Sequence, residues 1–253
     1  MTRRRRFDEV NMKTAFITGS SRGIGRAIAL RLAKDGFRVV LHGATDSAHL
    51  ESLKEEITNN GGVAETVFAN LINLNETEKL AKMLTNIDIL VLNASIQYRK
   101  PWQDITVSDC YDQLNCNFVS SMLLIQAVVP HMRESGWGRI ITVGSVQEAK
   151  PHPDMLVYSA SKAAQTNMMR SLALQLAKDG VTVNNVAPGV IYTDRNVEAL
   201  SDPEYARRVV DSIPAGFYGE TQDCVGIVSL LSSEEGRYIT GQSIYVDGGK
   251  SIQ

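Results

Sequence analysis

Tyr158 and Lys162 are the residues whose types and spacing point most directly to chemistry. They stand four positions apart, so a helix would place both side chains on one face. A free phenol has a pKa of about 10 and is rarely ionised near pH 7, but a neighbouring ammonium favours the ionised form. The pair therefore predicts a group that exchanges a proton with an alcohol or a carbonyl.

Ser145 adds a third polar group to this pair. It lies 13 residues before Tyr158 and follows the apolar run 139–143, which predicts a buried strand. In open α/β sheets ligands bind at the carboxyl ends of the strands, so Ser145 would stand at the edge of the sheet where a ligand binds. Together the residues predict acid–base chemistry at an oxygen-bearing carbon.

A glycine-rich segment near the start of the chain predicts a second ligand. The run Thr18-Gly19-Ser20-Ser21-Arg22-Gly23-Ile24-Gly25 follows a predicted strand at 14–18 and opens a predicted helix at 24–35. Glycines in such a turn let backbone N–H groups approach a pyrophosphate, and the positive end of the helix dipole favours its charge. The segment therefore predicts a dinucleotide site.

The elements that must position these groups alternate along the chain. Apolar runs predict strands near 14–18, 38–42, 63–69, 87–92, 139–143, 181–186 and 243–246, and helical patterns fall near 24–35, 47–59, 76–84, 108–133, 157–179 and 223–232. This alternation predicts an α/β fold, a single doubly wound, Rossmann-type domain over 12–253. Its seven-stranded parallel sheet would carry helices on both faces.

Two segments stand apart from this alternation. Residues 1–11 include four consecutive arginines and predict a flexible basic extension outside the core. Residues 187–222 are too long for a passive connection and predict a substrate loop. Within that loop, Ser201-Asp202-Pro203-Glu204 predicts the start of a lid helix at about 203–212, with Ser201 or Asp202 as its cap.

Composition excludes several classes of function. The 253 residues are 43% hydrophobic and 21% charged with a net charge of −2, which is ordinary for a globular protein and unsuited to nucleic-acid binding. The three scattered cysteines make neither a disulfide framework nor a metal site and favour a reducing, cytoplasmic location. Apolar stretches are far shorter than the ~20 residues of a membrane span. We expect a small polar substrate, without metal, nucleic acid or membrane.

The glycine segment also carries a family resemblance. Its pattern T-G-x-x-x-G-x-G resembles that of the short-chain dehydrogenase/reductase family, and the similarity extends over residues 12–250. Asn93-Ala94 resembles the family's N-N-A-G segment, although Leu92 and Ser95 replace its first Asn and its Gly. Asn70 stands where the family usually has an Asp near the adenine amine. An amide oxygen can still accept that bond.

The acid–base residues fit the same resemblance. Ser145, Tyr158 and Lys162 match the family's catalytic Ser-Tyr-Lys set, and Asn117 matches its fourth member. The resemblance implies that Tyr158 exchanges the substrate proton and that Lys162 holds the nicotinamide ribose and lowers the pKa of the phenol. Ser145 would bond the substrate oxygen, and Asn117 would support a water that relays protons to Lys162.

The end of the second strand bears on the choice of nicotinamide cofactor. Gly43 stands where an acid would hold the free 2′-hydroxyl of NAD. Arg22 and Thr45, with His42 as a third candidate, suit a 2′-phosphate, whereas Asp46 could bind the ribose. The sequence favours NADP and leaves NAD open. The expected cofactor-binding residues are Gly19, Ser21, Arg22, Gly23, Ile24, Gly25, Ala44, Thr45, Asn70, Leu71, Asn93, Ala94, Tyr158, Lys162, Pro188, Gly189, Ile191 and Thr193.

The residues expected around the reacting carbon are polar and partly cationic. This suits a polyhydroxylated or carboxylated substrate, because a buried donor without a partner costs about 1–3 kcal/mol. The expected substrate-binding residues are Gln97, Arg99, Gln147, His152 and Arg195.

Local segments refine the resemblance and leave alternatives. Residues 93–97, 145–147 and 213–216 resemble the gluconate 5-dehydrogenases and 2-deoxy-gluconate 3-dehydrogenases. This implies an NAD(P)-dependent homotetramer that interconverts a secondary alcohol and a ketone on a sugar acid or polyol. The 3-oxoacyl-carrier-protein reductases share the glycine turn and the catalytic set, so thioester reduction is an alternative. A non-catalytic dinucleotide-binding regulator is an alternative of another class.

Overall fold

The computed structural model describes residues 12–253, in which strands and helices alternate. The strands are β1 (Thr14–Ile17), β2 (Arg38–Gly43), β3 (Ala64–Phe68), β4 (Ile89–Leu92), β5 (Gly138–Val143), β6 (Val181–Pro188) and β7 (Ser243–Val246). The α-helices are α1 (Gly23–Lys34), α2 (Ala48–Asn59), α3 (Leu74–Met83), α4 (Val107–Leu114), α5 (Ser120–Ser135), α6 (Leu156–Leu176), α7 (Val197–Leu200), α8 (Pro203–Asp211) and α9 (Thr221–Ser232). The predicted extension at 1–11 lies outside the described residues.

The seven strands form one parallel sheet in the order β3-β2-β1-β4-β5-β6-β7. In β1, Ile17 pairs with Leu41 of β2 on one side and with Val91 of β4 on the other. The direction of winding reverses between β1 and β4, and such a reversal opens a crevice at the carboxyl ends of the strands. The predicted doubly wound, seven-stranded parallel sheet is confirmed.

Apolar side chains of the strands point alternately into two core layers. Phe16 and Ile140 belong to the layer that packs against α3, α5 and α6. The next residue of each strand, Ile17 and Ile141, belongs to the layer that packs against α1, α2 and α9. Because successive strand residues face opposite sides, a sheet covered by helices on both faces needs continuous apolar strands. The sheet is therefore a rigid base for the loops at its carboxyl edge.

One predicted helix is interrupted. The pattern at 108–133 predicts a single helix, but α4 ends at Leu114 and a π-helical turn, Asn115–Val119, separates it from α5. A π-turn inserts one residue into the hydrogen-bond ladder, which apolar spacing does not reveal. The turn contains Asn117, so the interruption falls at a predicted site residue.

The long segment after β6 contains the predicted lid helix. Helix α8 begins at Pro203, and the Asp202 carboxylate accepts the backbone N–H groups of Glu204 at 2.9 Å and Tyr205 at 3.3 Å. Between the two candidate caps, the structure selects Asp202. The shorter helix α7 precedes α8 in the same loop.

Within residues 12–253, none of the helices combines the length and apolar character needed to cross a membrane. The same part of the chain contains no group of three or more metal-ligating side chains.

Candidate active site

The glycine turn between β1 and α1 presents bare backbone to a cavity. Gly19 and Gly23 have φ values of +63° and +57°, which favour glycine. A Cβ on Gly25 would collide with the carbonyl oxygen of Gly19. The Arg22 side chain makes no capping hydrogen bond to the first turn of α1. The N–H groups at the positive end of α1 can therefore receive a phosphate, so the residues fit the pyrophosphate of a dinucleotide.

Asn93, directly after β4, holds this turn in place. Its side-chain amide donates to the carbonyl oxygens of Thr18 at 3.0 Å and Gly19 at 2.9 Å. Its backbone N–H donates to the hydroxyl of Thr18 at 2.9 Å. Both amide protons of Asn93 are thus used within the protein. It shapes the phosphate cradle through these bonds, although it also lines the cavity.

His42 closes the turn from the β2 side. Its Nδ1 accepts the Gly19 N–H at 3.1 Å, and its Nε2 lies 3.1 Å from the carbonyl oxygen of Ala69, to which it donates. Burial lowers the pKa of the imidazole to about 4, so the ring is neutral at pH 7. The expectation that His42 contacts a 2′-phosphate is therefore wrong, because neither ring nitrogen is free and the ring carries no charge.

A single cavity of about 890 Å³ runs from the glycine turn to Tyr158. Ala44, Asn70 and Leu71 line one end of it, and Arg22 lies beside the glycine turn. Two predicted cofactor residues are not among the lining residues: Thr45, which is exposed, and Lys162, which is buried. The predicted residues that line the cavity are Gly19, Ser21, Arg22, Gly23, Ile24, Gly25, Ala44, Asn70, Leu71, Asn93, Ala94, Tyr158, Pro188, Gly189, Ile191 and Thr193.

Ser145 and Tyr158 meet at the other end of this cavity. Ser145 follows β5 and Tyr158 lies in the first turn of α6, as their sequence positions predict. Tyr158 is only 5% exposed, and this burial raises the pKa of the phenol. The positive charge of Arg195, and hydrogen bonding by Ser145, Ser95 and Arg195, act in the opposite direction. Burial and neighbouring polar groups therefore shift the pKa of this phenol in opposite directions.

Lys162 lies on the same helix but does not touch the phenol hydroxyl. Its Nζ donates to the carbonyl oxygen of Val143 at 2.7 Å and to Oε1 of Gln165 at 3.3 Å. It lies 5.9 Å from the centroid of the Tyr158 ring. Burial lowers the pKa of Lys162 to about 7, with a further contribution from the charge of Arg195. The positive charge of Arg195 acts to lower the pKa of Tyr158, and the effect of Lys162 on the phenol stays a prediction.

Asn117 braces the substrate side of the cavity. Its side-chain amide donates to the carbonyl oxygen of Ile96 at 2.9 Å and to the Ser161 hydroxyl at 3.0 Å, and its Oδ1 accepts the Ile96 N–H at 2.9 Å. The residue is fully buried and does not line the cavity. Its side chain ties the loop after β4 to the π-turn and to α6.

Comparisons with known proteins agree with this geometry. The family model described as short chain dehydrogenase matches residues 13–204. Glucose 1-dehydrogenase of Gluconobacter oxydans is 36% identical over 246 residues, covering 95% of this chain and 92% of that protein. The chain belongs to the short-chain dehydrogenase family. Like that family, it is an NAD(P)-dependent oxidoreductase that acts on CH–OH groups.

Two solved short-chain dehydrogenases superpose closely on the chain. A 3-oxoacyl-(acyl-carrier-protein) reductase of Agrobacterium tumefaciens with NADP bound has a TM-score of 0.89 at 33% identity, covering 98% of both chains. A gluconate 5-dehydrogenase of Burkholderia cenocepacia, in complex with NADP and tartrate, also has a TM-score of 0.89, at 28% identity over 95% of this chain and 96% of that chain. These relatives differ in substrate, so fold and similarity alone leave the substrate open.

The predicted substrate residues of this short-chain dehydrogenase fall in two groups. Gln97, Gln147, His152 and Arg195 line the cavity. Arg99 does not: its guanidinium lies 3.5 Å from a carboxylate oxygen of Asp154 and 3.1 Å from Nε2 of His152. It braces the loops after β4 and β5, so its expected contact with substrate is not supported.

Sequence reasoning missed several residues of the cavity wall, among them Ser95, Arg208 and Lys250. Ser95 was noted only as a departure from the family pattern, and Arg208 and Lys250 were not considered. Arg208 lies on the lid helix, whose sequence position was predicted, so its spacing along α8 was an available signal. Lys250 lies at the end of the chain, and only the fold brings it to the cavity, where it donates to the hydroxyl of Ser212.

Proposed function

We propose that the protein interconverts a secondary alcohol and a ketone on a small anionic, polar substrate of the sugar-acid class, with NADP as the preferred cofactor. The observation that carries this proposal is the charge of the cavity wall. At the substrate end the lining includes Lys150, Arg195, Arg208 and Lys250, against one acid, Asp194. Such a surface favours a carboxylate over a neutral or apolar ligand.

Tyr158 is the proposed acid–base residue. When bound, the nicotinamide cofactor supplies or accepts the hydride. Tyr158 donates its hydroxyl proton to the ketone oxygen in reduction and takes the proton of the alcohol in oxidation. Ser145, which shares the hydrogen-bonding environment of Tyr158, orients the substrate oxygen.

Lys162 and Asn117 are proposed to act without contacting the reacting carbon: Lys162 through the cofactor ribose and Asn117 through a loop of the cavity wall. Lys162 is held by Val143 and Gln165, a geometry from which its long side chain can turn to a ribose hydroxyl. Asn117 fixes Ile96 and thereby the loop that carries Ser95 and Gln97. We assign Asn117 as a positioning residue for that loop.

The preference for NADP is supported at the end of β2. Gly43 and Ala44 line the cavity where an acid would select NAD, and Arg22 lines it on the opposite side of the turn. A guanidinium matches the geometry and charge of a 2′-phosphate. The two solved relatives described above contain NADP.

The experiment that tests the function is a matched set of assays at the absorbance of the reduced nicotinamide. The purified protein is tested with gluconate, 5-ketogluconate and an acetoacetyl thioester, each with NADP(H) and NAD(H). We expect turnover of the sugar acids with NADP(H). Absence of turnover with both sugar acids would contradict the proposal.

Thioester reduction is the second candidate, because a 3-oxoacyl-(acyl-carrier-protein) reductase matches the chain at 33% identity over almost its whole length. Turnover of the acetoacetyl thioester alone would select this candidate. The cationic wall argues against it, because the acyl part of such a substrate is neutral near the reacting carbon.

We further propose a homotetramer. In it, the long helical region α4–α5, helix α6 and strand β7 would each pack against the same element of a neighbouring subunit. Val107 and Tyr111 on α4 and Leu174 on α6 are 69%, 62% and 87% exposed, and burial in an interface would remove this apolar surface from water. Sedimentation equilibrium tests the oligomeric state.

The three cysteines are free thiols, which supports the proposed cytoplasmic location.

A further inference from the structure

Arg195 and Ser95 form a polar pair beside the hydroxyl of Tyr158. The Arg195 guanidinium donates to the Ser95 carbonyl oxygen at 2.8 Å and to the Ser95 hydroxyl at 3.3 Å. Ser95 follows β4 and Arg195 follows β6, so the pair joins two loops across the cavity that both residues line. Tyr158 lines the same cavity; burial raises the pKa of its phenol, whereas the charge of Arg195 and hydrogen bonding with both residues act to lower it. A permanent positive charge is thus placed at the reacting end of the site.

The location of this charge limits what lies next to the reacting carbon. During reduction the ketone oxygen must lie within hydrogen-bonding distance of the Tyr158 hydroxyl. With ordinary bond lengths, a group one or two carbons from the ketone then lies within about 3–5 Å of that oxygen. Arg195 lines the cavity together with Tyr158, and its positive charge acts on the phenol. Its present partners are a carbonyl and a hydroxyl, and a planar guanidinium binds a carboxylate more strongly, through two parallel hydrogen bonds.

Two of the other cations of the wall, Lys150 and Lys250, make hydrogen bonds elsewhere, and the third, Arg208, lies on the lid helix α8. Lys150 donates to the backbone carbonyl oxygen of Gln253 at 3.0 Å, and Lys250 donates to Ser212. They connect the chain end to the loops at the cavity mouth. Arg195 is therefore the cation best placed to contact a substrate group close to the reacting carbon.

We propose that Arg195 determines specificity for substrates whose carboxylate lies one or two carbons from the reacting carbon: 2-oxo and 3-oxo acids and the matching hydroxy acids. Ser95 orients the guanidinium for this contact. The inference rests on the proposed function and narrows it, because the carboxylate of a sugar acid that reacts four carbons away would lie beyond Arg195.

The test compares acids with their amides, which match them in size but lack the charge. The probes are acetoacetate with acetoacetamide and pyruvate with pyruvamide, reduced with NADPH. For the wild-type protein we expect a higher kcat/KM for an acid than for its amide. Arg195→Met should lower this acid-to-amide ratio roughly ten- to hundredfold, the loss expected for a charge-assisted hydrogen bond. Arg195→Lys should retain part of the preference.

Two further variants separate specificity from general damage. Ser95→Ala removes the hydroxyl but leaves the carbonyl that Arg195 contacts, so it should lower the ratio less than Arg195→Met. Arg207→Met is the matched control, because Arg207 lies on α8, is exposed and faces Asp211 outside the cavity. It should keep the wild-type ratio.

Each outcome decides the inference. An unchanged ratio in Arg195→Met, or an equal fall in Arg207→Met, would overturn it. Reduction of 5-ketogluconate without reduction of either short oxo acid would overturn it while leaving the proposed function intact. Absence of turnover with both gluconate and 5-ketogluconate, with either cofactor, would remove the proposed function, whatever the result with the short oxo acids.

Discussion

Protonation of His42 provides a measurable link between pH and stability. The folded protein holds the pKa of this imidazole at about 4, against 6.5 for the unperturbed group. Between these values the unfolded chain binds a proton that the folded protein does not, so stability falls as pH falls through 6.5 towards 4. At pH 5 the loss relative to pH 7 is about 2 kcal/mol, and it grows to about 3 kcal/mol near pH 4.

The contacts of His42 explain why the folded state resists protonation. Its Nδ1 accepts the Gly19 N–H, and a proton on that nitrogen would replace an attraction with the repulsion of two donors. The ring is also buried between β1 and β3, so the charge would be poorly solvated. The glycine turn is thus attached to a group that must remain neutral.

Urea unfolding of the wild-type protein and of His42→Gln at pH 7 and pH 5 tests this reasoning. The variant is less stable at pH 7, because it loses part of the contact with Gly19. Its loss of stability between the two pH values should be smaller than that of the wild type by about 2 kcal/mol. Protein concentration is held constant, so that any subunit association contributes equally.

If the stability of the two proteins depended equally on pH, the assignment of this pH dependence to His42 would be refuted. An NMR titration gives an independent check, because the His42 ring signals should stay unchanged from pH 7 down to pH 5. A midpoint near the unperturbed value would show that the ring is accessible to protons in the folded state.

Three further predictions concern the site. Tyr158→Phe should lower kcat by roughly 10²–10⁴-fold, the usual contribution of an acid–base group, while the Kd for NADPH measured by fluorescence stays within about threefold; retained turnover would contradict the assignment. Arg22→Ala should raise the Kd for NADPH roughly tenfold and leave that for NADH nearly unchanged, since only NADPH carries the 2′-phosphate; an equal effect on both would remove the proposed contact. Gly25→Ala should abolish binding of both cofactors, because its Cβ meets the Gly19 carbonyl and the Asn93 amide. Calorimetry measures the binding of each cofactor. Gly36→Ala, where a Cβ meets open space, is a control that should affect stability alone.

Local sequence patterns predicted the frame of the site well. Alternation of apolar strands and helices gave the parallel sheet, because a strand buried on both faces must be apolar throughout. The cap at Asp202 and the glycine turn were also predictable, since their chemistry depends on neighbouring residues alone. The proximity of Ser145 and Tyr158 was also predictable, because the predicted bounds of a strand and a helix place both residues at the carboxyl edge of the sheet.

Other features depend on residues far apart in the chain. The π-turn at Asn117 interrupts a pattern that predicts one helix. In this turn the Asn117 side chain forms hydrogen bonds with Ile96 and Ser161, which are distant in the sequence. Arg99, with the spacing of a substrate residue, is instead held by Asp154 and His152. His42 carries the donor chemistry of a phosphate ligand, yet burial leaves it neutral.

The sequence by itself determined the class of fold, the position of the glycine turn and the identity of the phenol proposed to exchange protons, because each depends on periodicity or short spacing. Only the tertiary structure decided which charges face that phenol. Arg195 and Ser95 are 100 residues apart and meet because β4 and β6 end at the same edge of the sheet. Distances between loops, and the burial that sets a pKa, arise from packing of the whole chain, so no local pattern records them.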